Sequence, residues 1–144
     1  WFVYWYVKQL DSNQNGTIMN KLLSRIFTAT VIVFSSQLWA GEVSRAQFTT
    51  EVQNREPVDM IVTLSTDQSQ ISYFTELTNL TGHSVTHQWV YNDKVMFNKI
   101  FQVGAARWRV WSSKTLQPGW TGRWTVNTLD EDQTPLLSQV FEYQ

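Results

Sequence analysis

Beyond Gly41 the chain is punctuated by turn residues at intervals of about eight to twelve, and the stretches between them alternate apolar and polar side chains. No stretch of useful length there holds a 3.6-residue period. Strict alternation puts successive side chains on opposite faces of a strand, so each stretch has one face to bury and one to expose. Short strands at this spacing fold as an antiparallel sandwich or barrel.

Residues 43–52 form the first alternating stretch, Thr-rich toward its end. Asn54-Arg55-Glu56-Pro57 breaks it, because Pro cannot donate to a ladder and restricts the residue before it. A short second strand is predicted over 60–64 and a third over 71–77. The third puts Ile71, Tyr73, Thr75 and Leu77 on one face and Phe74 and Glu76 on the other. Residues 85–91 set Val85, His87, Trp89 and Tyr91 on one face. Asn92-Asp93 tolerates positive φ and predicts a two-residue hairpin into 94–103. Strands follow over 107–113, 122–129 and 136–143. Gln117-Pro118-Gly119 between the first two is expected as a type II turn, so these arms pair with each other or meet across a core. An acidic loop, 130–133, joins the last two. The expected fold is therefore all-β, an antiparallel immunoglobulin-like sandwich of about seven to eight strands. Cysteine is absent, so no inter-sheet disulfide supports it and aromatic burial must. His87, Trp89, Trp108 and Trp124 are the expected core members.

The first forty residues read differently. WFVYWYV at the start is too short to span a bilayer. From Met19, Lys21 and Arg25 precede the apolar run IFTATVIVFSSQL, and Leu38-Trp39-Ala40 puts a small residue before Gly41. This basic–apolar–small order is that of a secretory signal peptide. The expected division is an upstream or non-native leader at 1–18, a helical signal peptide at 19–40 and one β domain at 41–144. Contact with a membrane would come only through the signal segment, if uncleaved. Asp11-Ser12-Asn13-Gln14-Asn15-Gly16 imitates half of a calcium loop, but Leu22 stands where the bidentate acid belongs, so no metal is expected there.

Several stretches carry a family resemblance: FTTEVQNREPVD, YFTELTNLTGHSVTHQWVYN, VGAARWRVWSSKTLQPGWTGRWTV and the terminal FEY. They resemble the bacterial family described as domain of unknown function 2914, from about Phe48 to Tyr143. The most specific features are His87-Gln88-Trp89 and RWRVWSSK, residues 107–114. The resemblance implies an exported or membrane-tethered bacterial protein. It implies no activity, catalytic residue, cofactor or ligand.

The residues themselves supply no catalytic set. His83 and His87 lie four apart, roughly 13 Å along a strand, too far to share one ion. There is no G-x-S-x-G elbow, and nothing in the sequence places Ser112 or Ser113 near His87. Glu56 and Glu76 have no reason to meet as a glycosidase pair. A net charge of −1 argues against a nucleic-acid partner. A non-enzyme without metal or cofactor is expected.

The strongest binding signal is the strand at 107–114. With Trp108 and Val110 facing the core, Arg107, Arg109 and Trp111 form a cationic, aromatic row on the other face. These three and Lys114 are the candidate ligand residues. In the opposite register both arginines are buried and need acids such as Glu76. The expected function is a non-catalytic cell-envelope binding module, periplasmic or secreted, for a glycan or anionic polymer. The alternative is a structural or interaction domain docking on another envelope protein.

Overall fold

A computed structural model describes residues 40–144. The leader and signal-segment expectations fall outside the described residues, Ala40 apart. Strands form where the alternation runs: β1 (Glu42–Thr49), β2 (Val52–Gln53), β3 (Glu56–Pro57), β4 (Thr63–Leu64), β5 (Gln70–Thr78), β6 (Ser84–Tyr91), β7 (Lys94–Gln102), β8 (Arg107–Thr115), β9 (Gly122–Leu129) and β10 (Pro135–Tyr143). No helix occurs among the described residues.

Two sheets carry the fold, a three-stranded one in the order β1-β5-β8 and a five-stranded one in the order β4-β10-β9-β6-β7. All pairings are antiparallel except the short parallel contact of β4 with β10. In immunoglobulin lettering the seven long strands β1, β5, β6, β7, β8, β9 and β10 are A, B, C, C′, E, F and G. The expected sandwich is thus present. The third sheet is the small hairpin β2-β3.

Several local expectations change. The second strand, expected over 60–64, is only Thr63–Leu64, and Glu56–Pro57, expected as part of a break, pairs with Val52–Gln53. The first strand ends early, because the Asp59 carboxylate accepts from the Thr50 amide at 2.8 Å and from the Thr49 hydroxyl at 2.6 Å, bending the chain away. The Pro118-Gly119 turn is not type II. Trp120 N–H reaches Gln117 C=O at 2.9 Å, and Gly119 is not among the glycines with positive φ, which type II requires at that position. The link joins β8 to β9 in the opposite sheet and crosses the end of the sandwich rather than closing a hairpin. Asn92 and Asp93, at φ 49° and 59°, do close the expected hairpin between β6 and β7.

The core fills the space between the sheets. Phe48, Tyr73, Trp89, Trp124, Phe141 and Tyr143 are its largest members. Trp124 stacks between Tyr91 and Phe141, with ring centres at 4.7 Å and 6.2 Å. A polar thread crosses the same core. The Tyr73 hydroxyl meets Thr128 Oγ1 at 3.0 Å, His87 Nε2 meets Thr75 Oγ1 at 3.0 Å, and Trp89 Nε1 donates to Ser112 Oγ at 2.9 Å. Each bond joins the three-stranded sheet to the five-stranded one. Buried polar groups need such partners, and here they also fix how the sheets align.

Candidate anion-binding site

β8 is an edge strand, and its pairing with β5 sets which way each side chain points. Trp108, Val110 and Ser112 stand opposite Leu77, Thr75 and Tyr73 on the core side. Arg107, Arg109 and Trp111 stand opposite Thr78, Glu76 and Phe74 on the outer face. The arginines therefore share one face with Trp111, with an acid between them.

Glu76 Oε2 accepts from Arg107 Nη2 and from Arg109 Nε, each at 2.8 Å. The Arg107 bond, then the Arg109 bond, hold its carboxyl far below the usual range, at about 2. Arg109 Nη1 also reaches Glu56 Oε1 at 2.7 Å, and Glu56 in turn accepts from Arg45. Arg45 lies over the Phe74 ring at 4.8 Å. A fourth arginine, Arg55, comes from the tip of the β2-β3 hairpin. Its guanidinium lies 5.8 Å from the Trp108 ring centre. It has no ion-pair partner among the described residues.

The backbone at Arg55 is unusual for its residue type. Asn54 and Arg55 have φ of 50° and 62°, the left-handed pair of a type I′ hairpin turn. Glycine is favoured at the second of these positions, because a Cβ is strained there. An arginine accepts that strain and presents its side chain to the β8 edge.

Two adjoining depressions open beside it. One, of about 240 Å³, is lined by Arg55, Ala105, Arg107, Trp108 and Arg109. The other, of about 300 Å³, adds Phe101, Gln102, Val110 and Trp111 to Arg55, Trp108 and Arg109. The first is cationic. The second is mostly apolar and lies where the edges β8 and β7 leave the sandwich open. Four guanidinium groups here face two carboxylates, an excess suited to an anion.

The model of the family described as "Protein of unknown function (DUF2914)" matches residues 82–143. Over that segment the chain is similar to this family. No curated protein matches the chain. The DUF2914 segment begins later than the resemblance read from Phe48, and takes in β6 to β10. It builds four strands of one sheet and the edge strand of the other. β1 and β5 lie outside it and cover the rest of its core face. Arg107, Arg109 and Trp111 belong to the DUF2914 segment, whereas Arg55, Glu56 and Glu76 do not.

Lys114 does not share the face of Arg107, Arg109 and Trp111. The alternation turns it to the other side of β8, where its ammonium lies 5.2 Å from the Trp120 ring centre. Trp111 is 38% exposed on the outer face. His87, Trp89 and Trp124 are fully buried, while Trp108 is half-buried and serves as a wall of both depressions. Nothing in the sequence placed a serine near His87, but the fold does, since β8 and β6 face each other across the core. Ser112 Oγ stands 3.0 Å from His87 Nδ1. Ser112 Oγ also accepts the Trp89 N–H, and the neutral ring is held between Ser112 at Nδ1 and Thr75 at Nε2. Both side chains are buried, and burial drives the His87 pKa down to about 3. His83 is exposed and bonds Glu131 at 2.8 Å, separate from His87.

Sequence reasoning did not single out Arg55. The available signal was Asn54-Arg55 between two polar residues, a turn whose second position carries arginine where glycine is usual.

Proposed function

We propose that this protein is a non-catalytic binding module of the bacterial cell envelope, exported through the 19–40 segment to the periplasm or exterior. It holds an anionic polymer, such as an acidic polysaccharide, in the depressions framed by Arg55, Arg107 and Arg109. The observation that carries this reading is Arg55, a cation without an ion-pair partner among the described residues, held at strained backbone beside Trp108. Guanidinium forks suit carboxylate and phosphate oxygens, and a rigid strand holds two of them in place. The burial of the neutral His87–Ser112 pair supports a role without catalysis.

The test is binding of the full chain to polygalacturonate and to inorganic polyphosphate, with neutral dextran as control. Both polyanions are expected to bind, less tightly as salt rises, and dextran is not. Arg55→Ala should weaken polyanion binding at least fivefold and leave the fold intact. Dextran binding as tight as the polyanions, or an Arg55→Ala protein that binds normally, overturns the reading. A second reading, docking on another envelope protein, is supported by the exposed edge of β8.

A further inference from the structure

The edges of the two sheets are not alike. β1 has a register shift between Val43 and Arg45 and is bridged by Ile61 at Phe48. β4 is two residues long. β7 carries Lys94 and Lys99, and its pairing with β6 shifts between Trp89 and Val90. Short edges, bulges, lysines and covering segments are how sheets avoid pairing with other chains. β8 is neither short nor bulged along its middle, and the β2-β3 hairpin reaches its side chains through Arg55 and Glu56 without pairing with its backbone. Its nine residues pair with β5 without a register shift, and its one lysine, Lys114, is next to its end. Arg107 and Arg109 fold back onto Glu76 of β5 instead of crossing the edge. The backbone groups that β8 turns away from β5 meet no partner among the described residues.

We infer that β8 receives an extended acidic segment of another polypeptide, which adds a strand to the β1-β5-β8 sheet. This rests on the reading of the arginine depression as an anion site and names its occupant. Backbone pairing supplies affinity along the edge, and alternate side chains of the added strand are read on opposite faces. On the outer face they meet Arg107, Arg109 and Trp111, with Arg55 close by. On the other they enter the apolar slot of Phe101, Trp108 and Val110. A strand that alternates acidic and apolar residues matches both faces. The excess of guanidinium over carboxylate groups selects acidic residues over basic ones.

The experiment uses the full chain and an eight-residue peptide of alternating Glu and Val. Its comparison is the same peptide N-methylated at alternate residues, which keeps the charge and blocks pairing. Hydrogen exchange is followed in the β8 and β7 segments. The unmodified peptide should slow exchange across β8, spare β7, and bind at least tenfold tighter than the methylated one. It should weaken severalfold in Arg55→Ala. If both peptides bind equally through Arg55, strand addition is wrong and the polyanion reading stands. If neither the peptides nor the polyanions bind, both readings fall. If β8 is already protected without peptide in a concentration-dependent way, the occupant is a second copy of the chain and the inference is overturned.

Discussion

Tyr73 on β5 and Thr128 on β9 join their hydroxyls at 3.0 Å through the core. In immunoglobulin lettering these are strands B and F, the pair that a disulfide links in antibody domains. Here a hydrogen bond between buried side chains spans the same two strands, with Trp89 of strand C packed in the same core. A disulfide constrains the unfolded chain, whereas this contact acts only in the folded state.

Loss of this bond should strand a buried partner in either single variant. Tyr73→Phe leaves the Thr128 hydroxyl unpaired and Thr128→Val leaves the phenol unpaired, each costing about 1–3 kcal/mol. The double variant should cost less than the sum, because the two side chains share one interaction. Urea midpoints of the three proteins check this, and additive costs would count against it. Burial raises the Tyr73 pKa to about 12. The unfolded chain loses that proton from about pH 10, so stability should fall between pH 10 and 12.

His87 sets an acid-side slope. Burial holds its folded pKa near 3, against an ordinary 6.5. Below pH 6.5 the unfolded chain takes up a proton that the folded ring refuses until about pH 3. Stability therefore falls as pH drops through that window, by up to about 1.4 kcal/mol per pH unit. Glu76 adds a loss only as pH falls from 4.5 toward 2. Urea midpoints between about pH 5 and 6.5 isolate the histidine, and His87→Phe should flatten the slope there. A slope that persists in this variant would assign it to another group.

Glu76→Gln should move stability and binding in opposite directions. The side chain is only 11% exposed and accepts both Arg107 and Arg109. Its neutralisation should cost about 1.5–3 kcal/mol, as for hydrogen bonds to charged groups. The freed guanidinium groups should tighten polygalacturonate binding and steepen its salt dependence. Titration calorimetry at two salt concentrations measures both effects, and unchanged affinity would mean these arginines do not meet the ligand.

The tryptophans should divide by burial. Trp89→Ala and Trp124→Ala remove fully buried indoles and should each cost about 3–5 kcal/mol. Trp111→Ala, on the exposed outer face, should cost about 0.5 kcal/mol or less and retain the β-sheet circular dichroism spectrum. A large loss in Trp111→Ala would show that the outer face is packed rather than open.

The period-two pattern determined which side chains of a strand share a face. That is a local property of the extended backbone, and it was readable for His87 and Trp89 on β6 and for Arg107, Arg109 and Trp111 on β8. The Asn92-Asp93 hairpin was equally local, because both residues accept positive φ. Absence of cysteine ruled out a disulfide before any geometry was known. Which strands become neighbours was decided only by the tertiary structure, because the same alternation is compatible with many sheet orders. Alternation alone set Lys114 on the opposite face from the arginines, whereas sheet order put β8 and β9 in different sheets, so that the Pro118-Gly119 link crosses the end of the sandwich. Opposition of the sheets brought Ser112 to His87, 25 residues apart in the chain. The fold of the β2-β3 hairpin back over β8 carried Arg55 to Trp108 and Glu56 to Arg109. These contacts join residues distant in sequence, and they depend on how two sheets pack, which no stretch of alternating residues encodes alone.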